Sequence, residues 1–235
     1  MNIPTESNGH YSHNSTVLTD DIGDSHLATS RDTPLRKDAF DISEEVKMRK
    51  IETHFQSIME ILGLDLKDDS LKGTPRRVAK MYVREIFQGL NPDNKPALTL
   101  FENKYQYRQM LVEKNIRVQS TCEHHFLPIY GVAHVAYMSS GKVIGLSKLN
   151  RLVDYFSRRP QVQERLTVQI GEELCEALHT KDVAVLIDAK HMCVQCRGVE
   201  HEHSSTVTTF FSGKFLNENT RREFYDSLLS SPTPC

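Results

Sequence analysis

Val183-Ala184-Val185-Leu186-Ile187 is a run of five apolar residues, rich in β-branched side chains and without a polar member. A run this short and this apolar fits a buried strand better than a helix segment, which would need ten or more residues. Just upstream, Leu166, Ile170, Leu174 and Leu178 recur every fourth residue and predict a helix. Before that helix, Pro160 marks an interruption. Leu149, Leu152, Val153 and Phe156 predict a further helix, with Ser147 as its N-cap. Further out, Met110 to Val118 and Phe126 to Tyr137 have the apolar and β-branched content of strands, followed by a turn at Ser139-Ser140-Gly141. On the other side, Ser205 to Phe211 is dense in Thr, Val and Phe and reads as the partner of the opening run. The predicted order is strand, strand, helix, helix, strand, strand, an α+β arrangement.

Two helices precede this core. Ile51, Phe55, Ile58 and Leu62 share a helical face closed by Gly63, and Thr74-Pro75 offers an N-cap and a tolerated proline ahead of Val78, Met81, Ile86 and Leu90. A last short helix is expected over Thr220 to Leu229. Residues 1–36 are polar with almost no apolar periodicity and are expected to be a disordered leader, in which His10, His13 and His26 carry no chemistry. The expected organisation is therefore a leader (1–36), an N-terminal helical segment (37–100) and a catalytic domain (101–235), the last two forming one globular unit.

Composition excludes several classes. The chain has 235 residues, 38% hydrophobic and 26% charged, and no apolar run near the ~20 residues needed to cross a bilayer. Met1 to Asp24 lacks the basic-then-apolar order of a secretory signal, so a cytoplasmic protein with no membrane contact is expected. A formal charge of −2 gives no global attraction to nucleic acid. Five cysteines, an odd number, suggest thiols or metal ligands sooner than disulfides in such a compartment.

Cys122-Glu123-His124-His125 can aim a thiolate and an imidazole at one ion, and His191-Met192-Cys193-Val194-Gln195-Cys196-Arg197 supplies a second half. Together they read Cys-x-x-His and Cys-x-x-Cys, a zinc pattern. A structural site would use Cys122, His125, Cys193 and Cys196, whereas a catalytic one keeps three ligands and a position for water. If the strand from Val183 runs on through Arg197, alternation puts His191, Cys193, Gln195 and Arg197 on one face and turns Cys196 away, which favours the open site. A chain turn at Val194 would instead bring both thiolates together.

Ser147, Lys148 and Arg151 lie at the start of a helix, where free N–H groups and the dipole favour an anion, although a solvated cationic face looks the same in sequence. Gln163 and Glu164 could pair with a purine edge or merely answer a helix dipole. Glu200, His201, Glu202 and His203 read as a solvated turn.

Five collinear segments add to this reading: Thr74-Pro75-Arg76-Arg77-Val78-Ala79-Lys80-Met81, Cys122-Glu123-His124-His125-Phe126, Ile144-Gly145-Leu146-Ser147-Lys148, Arg159-Pro160-Gln161-Val162-Gln163-Glu164-Arg165-Leu166, and His191-Met192-Cys193 with Arg197-Gly198. From about Ile42 onward the chain resembles the GTP cyclohydrolase I family. The resemblance implies the tunnelling fold (T-fold), an antiparallel four-stranded ββααββ sheet with two helices on one face, behind an N-terminal helical pair. It implies conversion of GTP and water to formate and 7,8-dihydroneopterin triphosphate, the first step of pterin and tetrahydrofolate synthesis. It further implies Zn2+ on Cys122, His125 and Cys193 for water attack at C8 of guanine, His124 as proton donor, His191 as a proton-transfer group, and Ser147 in the later ribose rearrangement. Lys148, Arg151 and Arg197 would hold the triphosphate, and Gln163 and Glu164 the guanine. A homo-oligomer follows as well, a toroidal decamer with sites shared between neighbours. The rival readings are a non-enzymatic zinc-stapled module using Cys196 as fourth ligand, and a related tunnelling-fold enzyme acting on a pterin.

Overall fold

The computed structural model describes residues 29–229; His10, His13, His26 and Cys235 lie outside them. The chain runs through α1 (Glu44–Ile61), α2 (Thr74–Met81), β1 (Leu100–Glu102), β2 (Met110–Cys122), β3 (Pro128–Met138), β4 (Lys142–Ile144), α3 (Leu146–Ser157), β5 (Pro160–Gln161), α4 (Gln163–Leu178), β6 (Val183–His191), α5 (Met192–Gln195), β7 (Thr206–Phe211) and α6 (Glu218–Leu229). Ser43 caps α1 by accepting from Val46 N, and Gly63, at φ +82°, supplies the left-handed turn beyond the helix end.

The main sheet has the order β5-β2-β3-β6-β7. The last four strands in that order pair antiparallel, and β5 adds two parallel partners, Thr121↔Pro160 and Cys122↔Gln161. This is the ββααββ tunnelling fold, with a short fifth strand that composition did not suggest. β1 and β4 form a separate two-stranded ribbon.

Alternation along the central strands sorts the two faces. Ile129, Ala133, Val135 and Tyr137 of β3 and Val183, Val185, Ile187 and Ala189 of β6 pack with Leu149, Leu152, Leu166, Ile170 and Leu174 from α3 and α4. The other face carries a smaller cluster, in which Ala136, Ala184 and Leu186 meet Phe215 and Phe224.

Several local expectations change. β6 ends at His191 and the chain turns into the single helical turn α5, so the alternation argument for Cys196 does not apply. Ser147 is not a cap: α3 starts at Leu146 behind Gly145, and no side chain bonds its first N–H groups. Thr74 is the first residue of α2 rather than its cap, and Gly73 takes that place. α2 runs on into one π turn, Tyr82–Ile86. Ser30 and Asp32 lie along α4: Arg165 Nε donates to Ser30 O (2.8 Å) and Gln169 Nε2 to Asp32 Oδ1 (3.1 Å).

The N-terminal helices dock at the C-terminal end of α3 through Gly89. Its N–H donates to Arg158 O (3.0 Å), and its carbonyl accepts from Arg159 Nε (2.7 Å). A Cβ here would sit 2.0 Å from Tyr155 O and 2.9 Å from Arg158 O. Backbone atoms cannot yield as a side chain can. Gly89→Ala should therefore cost about 1–3 kcal/mol of stability, read as a lowered urea midpoint.

Candidate metal centre

Cys122 ends β2 and opens a tight turn. Its N–H donates to Leu127 O (2.8 Å), and its carbonyl accepts from Phe126 N (2.9 Å). Phe126 sits at φ +56°, and its ring packs edge-on against Phe87 at 5.3 Å, which ties the turn to the N-terminal helices. Glu123 N donates to Gln161 O on β5 (3.0 Å). So held, the turn brings Cys122 Sγ to 3.7 Å from His125 Nδ1.

The third donor arrives through the sheet. Ile129, just after the turn, pairs with His191, the last residue of β6, and α5 then presents Cys193. One ligand atom each from Cys122, His125 and Cys193 lies within 4.8 Å of the others. Two thiols and an imidazole are a zinc donor set, and bonds of about 2.3 Å to sulfur and 2.0–2.1 Å to nitrogen give tetrahedral edges close to this spacing. Burial, then the neighbouring Cys122, pushes the Cys193 thiol up to about 11, with Arg197 acting the other way. Without a cation the neighbouring sulfur disfavours ionisation of Cys193; with one, a thiolate becomes a good ligand.

Cys196 stands apart. It is exposed, its Sγ donates to Met192 O (2.8 Å), and it is not in the ligand group. The chain does turn here, yet α5 points the second thiol back along its own backbone. A three-donor site therefore stands on the helical turn, not on strand alternation.

A cleft of about 510 Å³ opens over the three donors, and His124, Gln163, Glu164 and His191 line it with them. Burial lowers the His191 pKa while the Glu164 carboxylate opposes that shift. Gln163 is buried, and its amide is in use inside the fold: Nε2 donates to Ile187 O, Thr206 O and Thr208 Oγ1, and Oε1 faces His191 Nε2 at 2.8 Å. Glu164 beside it is exposed.

Sequence reasoning missed one pair. Arg165, its side chain 3% exposed, grips Glu123 with both arms of its fork at 2.5 and 3.1 Å. A cation in the first turn of a helix opposes the dipole, and that mismatch was the available signal of a partner.

Ser147, Lys148 and Arg151 are not brought to this cleft. α3 is twelve residues, ~18 Å, long. Its C-terminal end lies by the metal turn, where Ser120 Oγ donates to Arg159 O, while its first residues adjoin β4. Arg151 lines a different cleft of about 640 Å³ with Arg117 and Arg158. Arg197 is exposed and close enough to Cys193 to favour its thiolate.

Comparison with known proteins places this geometry. The family model described as GTP cyclohydrolase I matches residues 51–229. The chain is 60% identical over 213 residues to GTP cyclohydrolase 1 of Flavobacterium johnsoniae, an alignment covering 91% of this chain and 96% of that one. It is 52% identical to GTP cyclohydrolase 1 of Aeromonas salmonicida (86% and 92% covered) and 51% identical to that of Yersinia enterocolitica (84% and 90% covered).

The geometry makes opposite forecasts for the two neighbouring thiols. Cys196→Ser should keep one zinc per chain by elemental analysis, and Cys193→Ser should lose it. Loss of metal from the Cys196 variant would restore the four-ligand structural site.

Proposed function

The chain belongs to the GTP cyclohydrolase I family, and from that premise we propose that its cleft opens the imidazole ring of GTP with zinc, releasing formate and forming 7,8-dihydroneopterin triphosphate. The observation that carries the proposal is the grouping of three metal donors with two histidines and a free carboxylate in one cleft.

Cys122, His125 and Cys193 would hold zinc, which supplies Lewis acidity for activating water. Guanine recognition falls to Glu164, an exposed carboxylate able to accept from the ring and amino N–H groups of the base. Gln163, whose amide is engaged internally, supports the wall of the cleft rather than the base. His124 gives a proton to the opening imidazole ring and His191 moves protons at the same centre. Glu123, its Oε1 3.8 Å from His124 Nε2 and held by Arg165, keeps a carboxylate beside that donor.

Arg197 alone cannot neutralise a triphosphate, Ser147 and Lys148 lie at the other end of α3, and Arg151, midway along it, lines a different cleft. They would serve the cleft of a neighbouring copy, Lys148 and Arg151 on the phosphates and Ser147 on the ribose. Two sheet edges support such an assembly. Among the described residues β5 pairs with Thr121 and Cys122 alone, so Met110 to Ser120 is an open edge, and β7 is the opposite one. Edge-to-edge addition of copies closes a ring, as in the decamer that the resemblance implies. A thiol-rich site suits a reducing compartment, so the proposed location is the cytoplasm. Among the described residues no helix is long and apolar enough to cross a membrane.

Zinc-loaded protein given GTP should release formate and a pterin that fluoresces after oxidation; absence of both from fully metallated assemblies would overturn the reading. His124→Ala should retain zinc and lose about 10²–10⁴-fold in kcat. Mixed assemblies of His124→Ala and Arg151→Ala chains should regain activity that neither variant has alone. If each chain held a complete site, mixing would restore nothing.

A further inference from the structure

The amide of Gln163, 2% exposed, is the most heavily engaged polar group lining the cleft. Its nitrogen lies 2.8 Å from Thr206 O, 3.1 Å from Ile187 O and 3.1 Å from Thr208 Oγ1. Two of those partners are backbone carbonyls with no proton to give, so the group facing them is the NH2. A flipped amide would press its oxygen against two carbonyl oxygens in a buried site.

The neighbouring hydroxyls fix the same direction independently. Thr167 Oγ1 donates to Gln163 O (2.8 Å), which commits its hydrogen. The 2.6 Å contact between Thr167 and Thr208 is then a donation from Thr208 Oγ1, whose own lone pair is left to accept from the amide. Every donor in this loop has one permitted direction.

With its nitrogen committed, Gln163 turns Oε1 to His191 Nε2 at 2.8 Å. An amide oxygen only accepts, so Nε2 carries the hydrogen, and in the neutral ring the lone pair stays on Nδ1. We propose that Gln163 is a positioning residue that fixes His191 as the Nε2–H tautomer and holds the orientation of its ring at the edge of the cleft. That a ring so held serves turnover rests on the hydrolytic reading above, whereas the tautomer assignment stands without it.

The test begins on resting, zinc-loaded protein without GTP. In 15N-histidine NMR, with His191 assigned through His191→Gln, the ring should show a protonated Nε2 and an unprotonated Nδ1. Gln163→Met removes the acceptor at similar length and should give a tautomer mixture. Its kcat should fall by about 10–100-fold, with the KM for GTP little changed. A wild-type ring protonated on Nδ1 overturns the proposal. So does a Gln163→Met chain with an unaltered tautomer and a raised KM, the pattern of a side chain that grips guanine. Absence of turnover in every chain alongside the expected NMR signature would instead count against the hydrolytic reading alone.

Discussion

The register of β3 on β6 is the constraint on which the site depends. Nine partners run from Tyr137↔Val183 to Ile129↔His191, and the core-facing residues of both strands are almost all fully buried. Because side chains alternate, a slip of one residue would turn Val183, Val185 and Ile187 away from α3 and α4 to the face of the smaller cluster, so the hydrophobic pattern locks the alignment. Its last pair fixes the chemistry. Ile129 leaves the metal turn and His191 enters α5, so Cys122 and Cys193, far apart in sequence, meet at one end of the sheet. The parallel contact Cys122↔Gln161 brings the start of α4 to the same place.

That start is built unlike the rest of the helix. Leu166, Ile170, Leu174 and Leu178 form an ordinary apolar stripe, but Gln163, Arg165, Thr167 and Gln169 are buried beside it. Burying so many polar groups is unfavourable unless each finds a partner. Arg165 finds Glu123, Gln163 finds His191 with strand carbonyls, Thr167 finds Thr208, and Gln169 accepts from Gln161. The result is less a stabilising core than a jig, because removing any one member leaves a buried group unpaired. It joins the metal turn, the end of β6 and β7 through one helical turn.

Much of this was legible and some was not, for reasons that can be named. The α4 stripe, the apolar run of β6 and Gly63 at the end of α1 each carry a periodic or stereochemical signal, and each element stands where that signal put it. The end of β6 carries none. Nothing between His191 and Arg197 is glycine or proline, so alternation invited extension through a segment that tertiary contacts wind into α5. Ser147 looked like a cap, but Gly145, by leaving the strand at β4, begins α3 two residues earlier. β5 and the β1–β4 ribbon are two or three residues long and exist only through partners distant in sequence, which a local window cannot see. At the metal centre the residue types were readable, whereas which amide was already spent was not, since the partners of Gln163 are two backbone carbonyls and a threonine on β6 and β7.

The distribution of charge is what supports the proposed sharing of a triphosphate site between copies. The cleft over the metal donors has the carboxylates of Glu123 and Glu164 near it, and the one partnered cation there, Arg165, is spent on Glu123. Arg117, Arg151 and Arg158 gather instead in the second cleft, beside α3. With a formal charge of −2 over the chain, there is no diffuse positive field to make up the difference. In the assembly proposed above, a neighbouring copy joined edge to edge would bring the cations of its second cleft to the three donors of the next chain.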